Sequence, residues 1–128
     1  MTDISKLAEW VGGILGVPAA YGEFPTVEGP AAMVVVGTGS LWVRRYISGG
    51  GVARLPYEVY LRVPARTEGE RLDGIVALRG LTDRIAAGDA PFDYTDHIVT
   101  SLPSLYSSQD GGEAIYQTAC ELQYFSAE

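Results

Sequence analysis

The chain of 128 residues has no asparagine, one lysine (Lys6), one cysteine (Cys120) and one histidine (His97). A single cysteine excludes an internal disulfide, which suits a reducing compartment or indifference to redox. A single histidine leaves no second imidazole for a usual zinc set. No apolar run has the length needed to cross a bilayer as a helix. The first residues lack a charged start followed by an apolar run, so no signal peptide is expected. No serine sits in a Gly-x-Ser-x-Gly elbow. The glycine run at residues 49–51 leads into a strand pattern and lacks the Gly-Lys-Ser/Thr ending of a phosphate loop. The scarcity of lysine and asparagine beside abundant Ala, Gly and Arg reads as the coding bias of a GC-rich genome.

What is present suffices for one domain. The hydrophobic share is 47% and the charged share 20%, enough for a core without metal or disulfide and too ordered a composition for wholesale disorder. The net charge of −7 opposes a general nucleic-acid binder, which carries a basic footprint. The charge is unevenly spread. Residues 44–71 carry six arginines against three acids, and residues 83–128 carry Arg84 against eight acids. Such patches are either solvated loops or complementary surfaces of neighbouring subunits.

The organising stretch is Leu55 to Ala86. Tyr57, Val59, Leu61 and Val63 alternate with Glu58, Tyr60 and Arg62, the period of a half-buried strand ended by Pro64. Thr67 then caps a helix with Glu68 and Glu70 in its first turn, where negative charge suits the helix dipole. Gly74, Leu78, Leu81 and Ile85 recur at helical spacing, with Leu72 and Ile75 beside them. Asp73, Arg79, Asp83 and Arg84 remain for water or a partner.

Upstream, Thr2 or Asp3 caps a first helix striped by Ile4, Leu7, Ala8, Val11, Ile14 and Leu15, weakened by Gly12 and Gly13 and stopped by Gly16 and Pro18. Trp10 lies beside the stripe. Residues 19–30 read as a connection anchored by Tyr21 and Phe24. Ala31 to Val36 is a continuous apolar run, expected as a central strand. Residues 37–40 turn the chain into a strand where Leu41, Val43 and Ile47 alternate with Trp42, Arg44 and Tyr46. Arg45 breaks the alternation and marks a strand end or a bulge. Residues 48–51 form a hairpin tip. After the second helix, residues 88–96 are an acidic connection. His97 to Leu105 is a short strand that Pro103 confines to an edge or a bulge. Asp110-Gly111 signals a turn into the last strand, Glu113 to Phe125, with Tyr116, Thr118, Cys120, Leu122 and Tyr124 on one face.

The order predicts an α+β fold: one domain over residues 1–128, a mixed, mainly antiparallel sheet of about five strands, and two helices packed on one face. The sheet's other face, with Trp42, Tyr46 and Tyr60, must then meet solvent or another subunit. For catalysis, His97 with Asp93 and Asp96 suggests a metal or general-base site, against the commonplace of such residues in a loop. Cys120 with His97 suggests a thiol dyad, against burial of Cys120 as an inert small hydrophobe. Arg44, Arg45 and Tyr46 suit nucleic acid by charge and stacking, but suit a protein contact better, since arginine and tyrosine are favoured at interfaces. No catalytic, cofactor or metal residues are assigned.

The segment Tyr21-Gly-Glu-Phe-Pro25 leading into the apolar strand, the strand Tyr57-Glu-Val-Tyr-Leu-Arg-Val63 before its helix, and the final Tyr116-Gln-Thr-Ala-Cys-Glu-Leu-Gln-Tyr-Phe125 together resemble the tail-terminator, or minor capsid, proteins of long-tailed bacteriophages. The resemblance implies a structural virion protein and not an enzyme. Such subunits form a ring, commonly a hexamer, that caps the tail tube and docks to the head-completion connector, while DNA passes through without specific binding. It implies a place at the head-tail interface of the virion, assembly in the host cytoplasm, no cofactor and no membrane. Subunit contacts are then expected at Trp42, Arg44, Arg45, Tyr46, Gly49, Gly50, Gly51, Arg54 and Tyr60, and acidic lumen or loop contacts at Asp89, Asp93 and Asp96. Another head-tail connector, a tail-tube subunit or a small α+β ligand-binding domain would share this pattern.

Overall fold

The computed structural model describes residues 3–37, 42–109 and 111–126; Thr2, the turn residues 38–40, Leu41 and Asp110 lie outside the described residues. The elements run α1 (Asp3–Leu15), β1 (Ala19–Tyr21), β2 (Ala31–Val36), β3 (Trp42–Arg45), β4 (Gly51–Pro64), α2 (Glu68–Ala86), β5 (Asp96–Gln109) and β6 (Glu113–Ser126). The fold is α+β, with a six-stranded open sheet in the order β1-β2-β4-β6-β5, and β3 paired to β4 beyond the end of β2. Only β1 and β2 run parallel; the other pairings are antiparallel.

The strand absent from the sequence reading is β1. Its three residues, Ala-Ala-Tyr, are too few to display a period. It is set by its neighbours: Gly22 N–H donates to Val34 O at 2.9 Å, and Ala32 N–H donates to Pro18 O at 2.9 Å. Of the two expected loop anchors, Phe24 is held beneath the Arg62 guanidinium at 5.1 Å. Tyr21 instead is exposed at the end of β1.

The central ladder is β4 with β6, paired in unbroken register from Gly51↔Ser126 to Pro64↔Glu113. Alternation along β4 buries Gly51, Ala53, Leu55, Tyr57, Val59 and Leu61 on one face. β4 is longer than its apolar signal, which begins at Leu55. Its first buried positions are glycine and alanine, which carry little hydrophobic signature. Pro56 fits in this strand because β3 pairs only as far as Ala53 and β2 only from Tyr57. The missing N–H thus falls in the gap between two partners.

Both helices cover the buried face. Leu7 and Val11 of α1 join Leu78, Leu81 and Ile85 of α2 against Tyr57, Leu61, Tyr116, Cys120 and Leu122. α2 starts with the expected cap: Glu70 N–H donates to Thr67 Oγ1 at 3.1 Å and Thr67 N–H to Glu70 Oε1 at 3.3 Å. Gly74 is the closest point of α2 to the sheet. A Cβ there would lie 2.6 Å from Tyr116 Cε2 and 2.8 Å from Val63 Cγ2. Leu72, expected beside the stripe, is instead 55% exposed. β5 is the outer strand, as Pro103 implied, and its register to β6 shifts three times between Val99 and Ser107. It runs further than the expected residues 97–105, because Ser107 to Gln109 still pair with β6.

Candidate functional site

Two surfaces carry most of the residues singled out by sequence. The first is the β3–β4 hairpin. Its turn closes with Tyr46 N–H donating to Gly50 O at 3.0 Å and Gly49 N–H to Tyr46 O at 3.1 Å. Gly49 and Gly50 both have positive φ, which this tight turn requires and L side chains resist. Gly51 belongs to β4 rather than to the tip. A Cβ there would lie 2.1 Å from Arg44 O, so only glycine allows β3 to approach so closely. The register shift falls between Trp42 and Arg44, so the bulge is at Val43, while Arg45 is the strand's end. Trp42 is half-buried, with the Arg45 guanidinium 4.4 Å above its ring. Tyr46 stacks on Phe125 at 6.5 Å. Arg44 and Arg45 are exposed, Val43 is 41% exposed, and the tip residue Ile47 stands fully in solvent. Sequence alternation placed Ile47 on a buried strand face. The strand ends two residues earlier, and no packing surface follows.

The second surface is the acidic segment before β5. Asp89 accepts hydrogen bonds from Arg84 Nε at 2.8 Å and from Ala90 N–H at 2.9 Å. The Arg84 bond, above all, holds its carboxyl below the usual range, with a further hydrogen bond from Trp10. Asp89 is therefore committed within its own chain. Asp96 accepts from His97 N–H at 3.0 Å, and Asp93 and Asp96 are exposed.

His97 is not part of an acidic cluster but turns inward to a buried node. Its Nδ1 lies 2.9 Å from Asp89 O, and its Nε2 lies 2.5 Å from Tyr57 Oη. A carbonyl can only accept, so Nδ1 carries the proton and Nε2 accepts from the tyrosine hydroxyl. Burial pushes the imidazole pKa down, against the opposing pull of Asp89 and Asp96. The Trp10 ring, 5.5 Å away, closes the node and makes Trp10 a core-edge residue. Burial also raises Tyr57 and pushes the Cys120 thiol up to about 11. Cys120 therefore stays a protonated thiol at neutral pH, as its buried position in the strand suggested. Among the described residues, no three His, Cys, Asp or Glu side chains converge as metal ligands.

The sheet face opposite the helices is internally paired. Gln117 Nε2 donates to Glu58 Oε2 at 2.6 Å and to Tyr60 Oη at 3.1 Å. Tyr60 meets Tyr106 edge-on at 5.0 Å. Arg54 Nε lies 3.2 Å from Glu121 Oε1, close enough for an ion pair though not aligned as a hydrogen bond. Arg54 and Tyr60 thus sit on this face, apart from the hairpin tip. Sequence reading missed the exposed apolar residues of β5: Leu102, Leu105 and Tyr106 are each more than half exposed. Their only signal was the failure of alternation around Pro103. No family model matches this chain, and no curated protein matches it.

Proposed function

We propose that the chain is a structural, non-enzymatic subunit of a ring in the tail of a long-tailed bacteriophage. Its specific role is the tail terminator, which closes the tail tube and meets the head connector. The observation that carries this reading is the hairpin Trp42–Gly50, which holds two exposed arginines and a fully exposed isoleucine on a rigidly turned tip. A tip of that composition is costly to leave in water and is suited to burial against protein. The internally paired sheet face supports the same reading, because it offers a smooth polar wall instead of convergent reactive groups. In the assembled ring, Arg44, Arg45 and Arg54 face protein, and the acidic half of the chain contributes more to the channel. There, like charge lets DNA slide without specific binding. The partners are further copies, the tail tube protein and the head-completion protein. The site of action is the virion, after assembly in the host cytoplasm.

Sedimentation across a concentration series, with negative-stain imaging of any large species, tests the reading. Closed rings with a central hole are expected. A monomer with specific affinity for a small molecule would replace it by the ligand-binding alternative, for which the open cleft of about 420 Å³ beside Phe24, Val27 and Arg62 is the natural seat.

A further inference from the structure

The sheet has two outer edges at the end where the hairpin lies, and they are opposite in character. On one edge, β3 carries the exposed Arg44 and Arg45, with Val43 41% exposed and Ile47 fully so. On the other, the start of β5 carries the exposed Asp93 and Asp96, with Ile98 40% and Leu102 73% exposed. The pairing register fixes their relative height. Arg45 pairs Gly51, which pairs Ser126, while Asp96 pairs Gln123. The two charged groups therefore differ by three residues along β6, about 10 Å at ~3.4 Å per residue. β4 and β6 stand between the two edges, three strand spacings or about 14 Å, so one chain does not bring them together.

Directions agree as well. β3 is antiparallel to β4, β4 to β6, and β6 to β5, so β3 runs opposite to β5. A second copy placed beside the first in the same orientation would meet it edge to edge as an antiparallel pair. The stretch of β5 from Asp96 to Val99 is in regular register, and irregularity begins only beyond it. That confines edge pairing to a four-residue segment, about the length of β3.

We propose that the β3 hairpin of one copy docks head to tail on the Asp93–Val99 edge of the next copy, arginines against aspartates and Ile47 against the apolar side chains of β5. This rests on the oligomeric reading above and names the surfaces that make it. Because the two patches differ, the contact is heterologous, and repetition builds rings or filaments rather than a closed two-fold dimer.

The test uses the full chain in two charge-reversed forms, Arg44→Glu with Arg45→Glu, and Asp93→Arg with Asp96→Arg. All four side chains are exposed, so thermal unfolding should match the parent. In sedimentation velocity each form alone should associate at least about 100-fold more weakly than the parent, because like charges then meet. An equimolar mixture should restore association, with strictly alternating copies and even-numbered species. One chain carrying all four changes should also recover. Rings that withstand either reversal would overturn the edge pairing alone. Association that needs the charges but yields open chains would support the pairing and overturn the ring. A parent chain that stays monomeric at about 1 mM would overturn both.

Discussion

Replacing Gly74 by alanine tests whether α2 is seated on the sheet as closely as the structure shows. The new Cβ would fall 2.6 Å from Tyr116 Cε2 and 2.8 Å from Val63 Cγ2, so one of these buried side chains must move. Gly80 lies on the same helix, is exposed, and has nothing within 4 Å of its Cβ position. In a helix interior, alanine is favoured over glycine by about 1 kcal/mol. That gain applies to both replacements and cancels in their difference. What remains is the overpacking cost at Gly74, about 1–3 kcal/mol. Gly80→Ala should therefore raise stability by about 1 kcal/mol, and Gly74→Ala should lower it or leave it level. Urea unfolding at neutral pH, followed by circular dichroism, measures both from the shift in midpoint at constant slope. Equal stabilisation by the two replacements would refute the close approach and with it the packing of α2 on β4 and β6.

The other predictions concern the cap and the buried node. Thr67→Ala removes half of a reciprocal capping box and should cost about 1 kcal/mol in the same urea assay, with no effect on self-association. Tyr57→Phe leaves His97 Nε2 buried without its donor and should cost about 1–3 kcal/mol, more than the loss of an exposed hydroxyl. Because burial lowers the His97 pKa, the unfolded chain takes up a proton that the folded chain refuses. Stability from this source is present above the unfolded value of about 6.5 and is lost as pH falls below it, at about 1.4 kcal/mol per unit of depression. Urea midpoints at pH 7 and pH 5 should thus differ less in His97→Gln than in the parent.

The legible parts of this fold are those where one chemical signal decides the outcome. Thr67 and Glu70 announce the start of α2 because a cap needs both groups at that spacing. Tyr57 to Val63 and Tyr116 to Leu122 announce the central ladder because one face is buried and the other wet. β1 stayed hidden because its order comes from backbone bonds to β2 and not from its own side chains. The first turns of β4 stayed hidden because Gly51 and Ala53 are buried without being large. At the candidate site the limit is different. Arg44, Arg45, Asp93 and Asp96 were readable as charged and exposed, but their placement on opposite edges at one end follows from long-range register, which no local pattern encodes. Asp89 looked like its neighbours in sequence, yet Arg84 and Trp10 hold it inside the chain.

That separation has a consequence for how the molecule divides its labour. The β4–β6 ladder supplies the core through Tyr57, Val59, Leu61, Cys120 and Leu122, all on the helix-covered face. The same ladder fixes the height of the hairpin on one side and of Asp96 on the other. The charged edges contribute no buried area of their own, while the core residues lie too deep to touch a partner. Substitutions should therefore fall into two nearly independent sets. Changes at Arg44, Arg45, Ile47, Asp93 or Asp96 should alter association with stability within about 0.5 kcal/mol of the parent. Changes at Tyr57, Leu78 or Leu122 should lower stability first, and association only by reducing the folded fraction. The hairpin turn is the one place where the sets meet. Gly51 must be glycine for β3 to reach β4 at all, so its replacement should weaken the strand pairing and misplace the arginines together.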